Sequence, residues 1–282
     1  MGNEAADIAS QVMDSGKYGF IARDTVLRLC QEYMPRYKSK KDVIKAVKKQ
    51  LHIIHGAFFP DRCHEQAMML IESSNISDQE LSVQLMQLHP STRERMPVLR
   101  AFYDFLAPCL KDAKTVLDIG CGFHPCTLPF MGLPDKVTYI AGDINYDTVK
   151  VVRAFFDRLH VAHDVQILDA AGKLPDVHAD IAFLFKLIPV LEQQKKGLAY
   201  HLMDMLTAKT IIVTFPVKSL SGREKDMEQF YSSQFEKNLP AAFSIAQKAV
   251  VGMELVYIVS KTQEQQQQAL SGYTGHDVLE QK

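Results

Sequence analysis

Along the first 110 residues, apolar positions recur at intervals of three and four. In "DTVLRLCQEYM" Val26, Leu27, Leu29 and Met34 keep near-helical spacing, and in "KKDVIKAVKKQLHIIHGAF" Val43, Ile44, Val47, Leu51 and Ile54 share one face. That period predicts amphipathic helices. A third helix is expected in "HEQAMMLIESS" and a fourth along "HPSTRERMPVLRAFYDFLAPCL". Four helices with no strand between them read as a separate α-helical module over residues 1–110.

From Lys114 the pattern changes. "TVLDIG", "VTYIAGDI", "DVQILDA", "DIAFLFK", "TIIVTFPV" and "ELVYIVS" are short runs rich in β-branched and aromatic residues. Helical stretches such as "NYDTVKVVRAFFDRLH" and "PVLEQQKKGLAYHLMDML" separate the first five. This alternation predicts βαβ units and a mostly parallel sheet, hence an α/β domain over residues 111–262. The last two runs, "FSIAQKAVV" and "MELVYIVS", lie too close around Gly252 for a helical crossover. They should form an antiparallel hairpin. The polar, Gln-rich stretch 263–282 is expected to be disordered.

Composition narrows the class without deciding it. With 47% hydrophobic and 23% charged residues the chain is an ordinary globular protein. No apolar run approaches the ~18 residues that span a bilayer. The start "MGNEAADIASQVM" has no basic leader, and Ala6 occupies the place where a myristoylation signal wants Ser or Thr. A cytoplasmic protein with no membrane partner is expected. The five cysteines are odd in number and form no Cys-x-x-Cys pair, so reduced thiols are expected rather than disulfides. His52, His55, Cys63 and His64 follow no recognised ligand spacing, and no metal is expected. The net charge of −1 hides a basic segment: residues 17–55 hold ten lysines and arginines against only Asp24, Glu32 and Asp42. Such a segment points to a localised polyanion contact.

Candidate chemistry begins at "VLDIGCGFHP", residues 116–125, a buried strand that breaks into glycines. A bare turn of this kind is expected to open main-chain N–H groups to a ligand. A dinucleotide site would carry a third glycine where Pro125 stands, and no P-loop Gly-Lys-Ser/Thr is present. Asp118, Asp143 and Asp169 fall at the ends of three successive strand runs. Three carboxylates would repel a pyrophosphate. They suit a ligand with a ribose diol, an adenine amino group and a cationic amine, namely S-adenosylmethionine. Asp143 would take the ribose hydroxyls and Asp169 the adenine amino group.

The turn and the acids resemble class I S-adenosylmethionine-dependent methyltransferases. The segments "HPSTRER", "VLDIGCGFHP", "FLFKLIPVLEQQ" and "TFPVKSLSGREKDMEQFY" resemble, more narrowly, the aminoglycoside-resistance 16S ribosomal RNA guanine-N7 methyltransferases. The resemblance covers nearly the whole chain apart from its Gln-rich extension. It implies a Rossmann-like class I sheet, parallel with a terminal antiparallel hairpin, preceded by a helical RNA-binding module. It also implies methylation of a decoding-site guanine within the assembled 30S subunit, giving resistance to 4,6-linked aminoglycosides. By the same resemblance, cofactor contacts fall to Phe58, His89, Pro90, Ser91, Arg95, Gly120, Asp143, Asp169, Ala170, Phe185 and Gln194. Arg95 would pair with the methionine carboxylate.

Guanine N7 is a lone-pair acceptor that carries no proton at neutral pH, so its methylation needs no general base. Exocyclic-amine methyltransferases of this fold often carry an Asn/Asp-Pro-Pro-aromatic element after the fourth strand. Here "FKLIP" stands there, without the Asn or Asp. Lys186 at that strand end is the candidate for positioning the target base or its phosphate. Candidate RNA contacts are Lys17, Arg23, Lys38, Lys40, Lys41, Lys45, Lys48 and Lys49, with Lys218, Arg223 and Lys225 in the loop after "TFPV". No DNA and no obligatory protein partner is expected. The residues also leave open a housekeeping methyltransferase of another RNA position, or a non-catalytic RNA-binding protein.

Overall fold

A computed structural model describes residues 2–55, 62–73, 75–217 and 227–261. Phe58, Lys218, Arg223, Lys225 and the 263–282 extension lie outside them.

Three helices open the chain: α1 (Gly2–Met13), α2 (Arg23–Tyr33) and α3 (Lys40–Ile54). Ser39 starts α3 by accepting a hydrogen bond from the Asp42 N–H at 3.2 Å. The apolar stripe of α3 is buried as its spacing predicts: Val43, Val47 and Leu51 pack with Ile8 and Val12 of α1 and Val26 and Leu29 of α2. The opening helix α1 is additional to the four expected.

Four more helices follow: α4 (Cys63–Ser73), α5 (Asp78–Leu88), α6 (Pro90–Arg95) and α7 (Leu99–Leu110). A reciprocal capping box, Ser77 with Glu80, starts α5. These helices do not extend the first bundle. Ala67, Leu85, Phe102 and Leu106 share one core with Val116, Tyr139 and Phe183 of the sheet. The core therefore divides well before residue 110, with α1–α3 on one side and α4–α7 wrapped onto the sheet. Helical periodicity shows which face is buried and is silent on what buries it, so the expected 1–110 module merges two groups.

The sheet comprises β1 (Thr115–Ile119), β2 (Thr138–Asp143), β3 (Ala162–Ile167), β4 (His178–Phe185), β5 (Thr207–Pro216), β6 (Phe243–Val251) and β7 (Glu254–Lys261). Its order is β3-β2-β1-β4-β5-β7-β6. The first five strands are parallel, and β7 pairs antiparallel with both β5 and β6. This is the mostly parallel α/β sheet with a terminal hairpin expected from the alternating runs. Helix α8 (Tyr146–Arg158) crosses from β2 to β3. The helix expected between β4 and β5 is two, α9 (Leu187–Gln194) and α10 (Leu198–Met205). Gly197 breaks it at φ 82°, and the Glu192 carboxylate caps α10 by accepting from the Gly197 and Ala199 N–H groups. Helix α11 (Met227–Asn238) precedes β6.

Strand order reverses at β1, where the chain leaves toward β2 and β3 and returns at β4. A crevice forms there beyond the carboxyl ends of the strands. The N-terminal bundle is anchored beside it: the Ala22 N–H donates to the Ile144 carbonyl and the Tyr146 N–H to the Phe20 carbonyl, both directly after Asp143.

Candidate active site

The crevice is a cleft enclosing about 920 Å³ of space, part of it open to solvent. Its walls are the β1 turn (Gly120–Gly122), the ends of β2 and β4, the start of α6, α9, and one face of α2 from the bundle. Of the residues expected at the cofactor, His89, Ser91, Arg95, Gly120, Asp143, Asp169, Ala170, Phe185 and Gln194 line it, and so does Lys186. Pro90 does not. It occupies the first position of α6, where its fixed φ starts the helix and sets Ser91 and Arg95 beyond it.

The glycine turn works differently from the expectation. The Gly120 and Cys121 N–H groups both donate to the Gly142 carbonyl, at 2.8 and 3.1 Å, and the Gly122 N–H donates to Asp143 Oδ2 at 3.0 Å. None is left for a ligand. The glycines are there for backbone shape: φ is +64° at Gly120 and +50° at Gly122. A Cβ on Gly120 would lie 3.0 Å from Leu187 and one on Gly122 would lie 3.3 Å from His89. The turn therefore shapes the cleft floor and orients Asp143. It is no phosphate cradle.

The three strand-end acids separate into different roles. Asp118 is buried away from the cleft: its Oδ2 accepts from Tyr139 Oη at 2.9 Å and pairs with His124 Nδ1 at 2.7 Å. Burial lowers the His124 pKa, and Asp118 opposes that shift. The His124 Nε2 lies 3.1 Å from Tyr103 Oη. Asp118 thus belongs to the core beneath the turn, not to a ligand. Asp143 faces the cleft, held by the Gly122 and Asn145 N–H groups, each at 3.0 Å. Burial raises its pKa to about 6, against the opposing pull of those two hydrogen bonds. Asp169 also lines the cleft, but β3 ends at Ile167, so it stands in the loop beyond the strand rather than closing it.

In the same cleft, Arg95 is 2% exposed. Its Nε and Nη2 donate to the two Glu254 oxygens, each at 2.9 Å, and its guanidinium lies over Phe102 and Phe185. Nη1 has no hydrogen-bond partner among the described residues. Burial pushes the Glu254 carboxyl up, yet Arg95 and Lys186 outweigh it and hold it below the usual range. Lys186 sits at φ 55°, a left-handed conformation at the junction of β4 and α9. Its Nζ lies 2.8 Å from Glu94 and 3.7 Å from Glu254.

Two contributors are not among the residues expected from sequence. Glu254 had a signal: a lone acid opening an apolar strand demands a cation. Arg28 had none beyond its place in the basic segment, yet it reaches the cleft from α2 and binds Asp169. The remaining basic candidates face outward. Lys17, Arg23, Lys38, Lys40, Lys41, Lys45 and Lys49 are exposed and Lys48 is half-buried. On α3, Lys41, Lys45, Lys48 and Lys49 fall within an arc of about 100°, opposite Val43, Val47 and Leu51.

Residues 14–258 match the family described as ribosomal RNA methyltransferase (FmrO). The chain is 34% identical over 269 residues to the 16S rRNA (guanine(1405)-N(7))-methyltransferase of Micromonospora rosea, covering 92% of this chain and 98% of that one. It is 32% identical over 263 residues to the protein of the same name from Frankia casuarinae, covering 90% and 93%. The solved 16S rRNA methyltransferase RmtF, in complex with S-adenosyl-L-homocysteine, superposes with a TM-score of 0.84 at 34% identity, over 93% of this chain and all of that one. With the sheet order, the switch-point cleft and a family match over most of its length, the chain belongs to the ribosomal RNA methyltransferase (FmrO) family.

Proposed function

We propose that this protein transfers a methyl group from S-adenosylmethionine to N7 of guanine 1405 of 16S rRNA, the reaction for which its relatives are named. The observation that carries the reading is the polarity of the cleft. In it Asp143 is a buried acceptor suited to a vicinal diol, and Arg95 Nη1, which has no partner among the described residues, is a buried cationic donor suited to a carboxylate. S-adenosylmethionine carries both groups, with Asp169 and Gln194 left for the adenine and Phe185 for the space between.

The cofactor supplies an electrophilic sulfonium methyl, and N7 offers a lone pair with no proton to remove. What falls to the chain is positioning. Asp143 and Arg95 hold the diol and the carboxylate, Phe185 with Leu187 excludes water, and Lys186 stands at the β4 edge. A cation beside N7 would oppose the charge developing on the ring, so the useful partners for Lys186 are guanine O6 or a phosphate. Leaving Glu94 is the rearrangement this requires. Lys186→Ala is therefore expected to lower methyl transfer on the order of tenfold or more, with S-adenosylhomocysteine affinity within about twofold of wild type. Glu94 is exposed enough to be hydrated once its partner is gone. Unchanged methylation in single-turnover assays would return Lys186 to a strand-end role.

For the RNA, the lysine arc of α3 matches a row of phosphates presented by a folded surface. The substrate is then the assembled 30S subunit, placing the reaction in the bacterial cytoplasm. Lys45→Glu with Lys48→Glu should weaken subunit binding and flatten its salt dependence, by roughly 0.7–0.9 in log–log slope for each phosphate no longer neutralised. Cofactor affinity should not change. An unaltered slope would make those lysines merely a solvated face. The product, 7-methylguanine, is cationic and no longer accepts at N7, so polycationic 4,6-linked aminoglycosides lose affinity and the cell gains resistance. Incubating isolated 30S subunits and naked 16S rRNA with labelled S-adenosylmethionine tests the substrate: transfer to 30S alone is expected, and equal transfer to both would remove the requirement for the subunit.

A further inference from the structure

Helix α2 faces the cleft, and Arg28 turns into it. Its Nε donates to Asp169 Oδ2 at 2.9 Å, and its Nη2 to Asp169 Oδ1 at 3.3 Å and Gln194 Oε1 at 3.2 Å. The Ala171 N–H holds Asp169 Oδ1 from the other side at 2.9 Å. Glu32, one turn along α2, lies 3.8 Å from Nη1 and keeps the guanidinium in place.

A guanidinium only donates. The side-chain amide of Gln194 must therefore turn its oxygen to Arg28, which leaves its NH₂ as the group available to a ligand. The Asp169 carboxylate, paired with the arginine, can only accept. Arg28 thus sets an acceptor and a donor side by side. That pair complements the edge of adenine, where the N6 amino group donates and N1 accepts. It mismatches hypoxanthine, where the 6-oxygen accepts and N1–H donates. We infer that Arg28 is a positioning residue that fixes the polarity of the Asp169–Gln194 pair and so makes the cofactor site selective for adenine over 6-oxopurine nucleosides. This rests on the reading that Asp169 and Gln194 face the adenine. It also makes the N-terminal bundle part of the cofactor site and not only an RNA-binding appendage.

Calorimetry with S-adenosylhomocysteine and its deaminated analogue S-inosylhomocysteine tests the inference. Wild type should prefer the adenine ligand strongly, because a site built to pair a polar edge rejects the inverted one. Arg28→Met frees the Gln194 amide to rotate. It should weaken the adenine ligand about tenfold and leave the inosine ligand within about twofold, cutting the preference roughly tenfold. Arg28→Lys retains a donor to Asp169 without the fork and should restore part of it. Equal weakening of both ligands by Arg28→Met would mark a structural role, and undiminished preference would mark no role; either overturns the inference. Asp169→Ala separates the two layers: if it leaves adenine binding intact, the reading beneath fails as well. If it abolishes binding while Arg28→Met keeps full preference, only the inference fails.

Discussion

Glu254→Ala should destabilise the fold by about 3–5 kcal/mol, because it leaves the Arg95 guanidinium buried without its counter-charge. The pair is bidentate, and both side chains are nearly inaccessible, at 1% and 3%. Lys186 nearby adds a second cation that would lose its partial partner. The effect has a pH signature. The folded-state pKa of Glu254 is depressed, so its contribution is fully present above the unfolded value near 4.5 and is lost as pH falls below it. Urea unfolding of wild type and variant at neutral and acid pH reads both quantities, and a gap that does not narrow on acidification would contradict the assignment. The double change Arg95→Met with Glu254→Leu provides the counterpart. Replacing a buried pair with apolar side chains is often neutral for stability, so the fold should largely recover. Cofactor affinity should not, because the donor for the carboxylate is gone.

The second large effect is on binding. Asp143→Asn and Asp143→Ala should each weaken S-adenosylhomocysteine by about 3 kcal/mol or more, roughly a hundredfold, since two hydrogen bonds to a charged acceptor are worth ~1.5–3 kcal/mol each. The fold should survive. In the free protein the raised pKa of Asp143 means that its ionised form costs stability: stability is greatest below the unfolded value of 3.8 and declines as pH rises through about 6. Removing that charge therefore carries a stabilising component at neutral pH. Binding runs the opposite way. Two ribose hydroxyls need the ionised carboxylate, so wild-type affinity should fall as pH drops through about 6, with proton release on binding near that pH. In the Asn variant that dependence should vanish. Near-normal affinity in a folded variant would remove Asp143 from the site.

Much of this was legible in the chain because it is local. Strand runs between helical stretches set the sheet class, Gly252 marked the hairpin, and the switch-point turn with Asp143 located the cleft. Two limits are physical. Hydrophobic period shows a buried face without its partner, so α4–α7, which pack on the sheet, could not be told apart from α1–α3. Polar partners distant in sequence leave no periodic trace: Arg28 meets Asp169 across 141 positions, and Arg95 meets Glu254 across 159. The same blindness misplaces Asp118, whose partners His124 and Tyr139 withdraw it into the core. It also hides the carbonyl and carboxylate that consume the turn's N–H groups.

The most direct test of the catalytic claim is mass mapping of 16S rRNA from bacterial cells that express this chain, beside cells expressing the Asp143→Ala variant. A single added methyl at N7 of guanine 1405, present with wild type and absent with the variant, is the predicted result. A methyl at another nucleotide or on an exocyclic nitrogen, or an unmodified 16S rRNA in cells holding the folded protein, would contradict it.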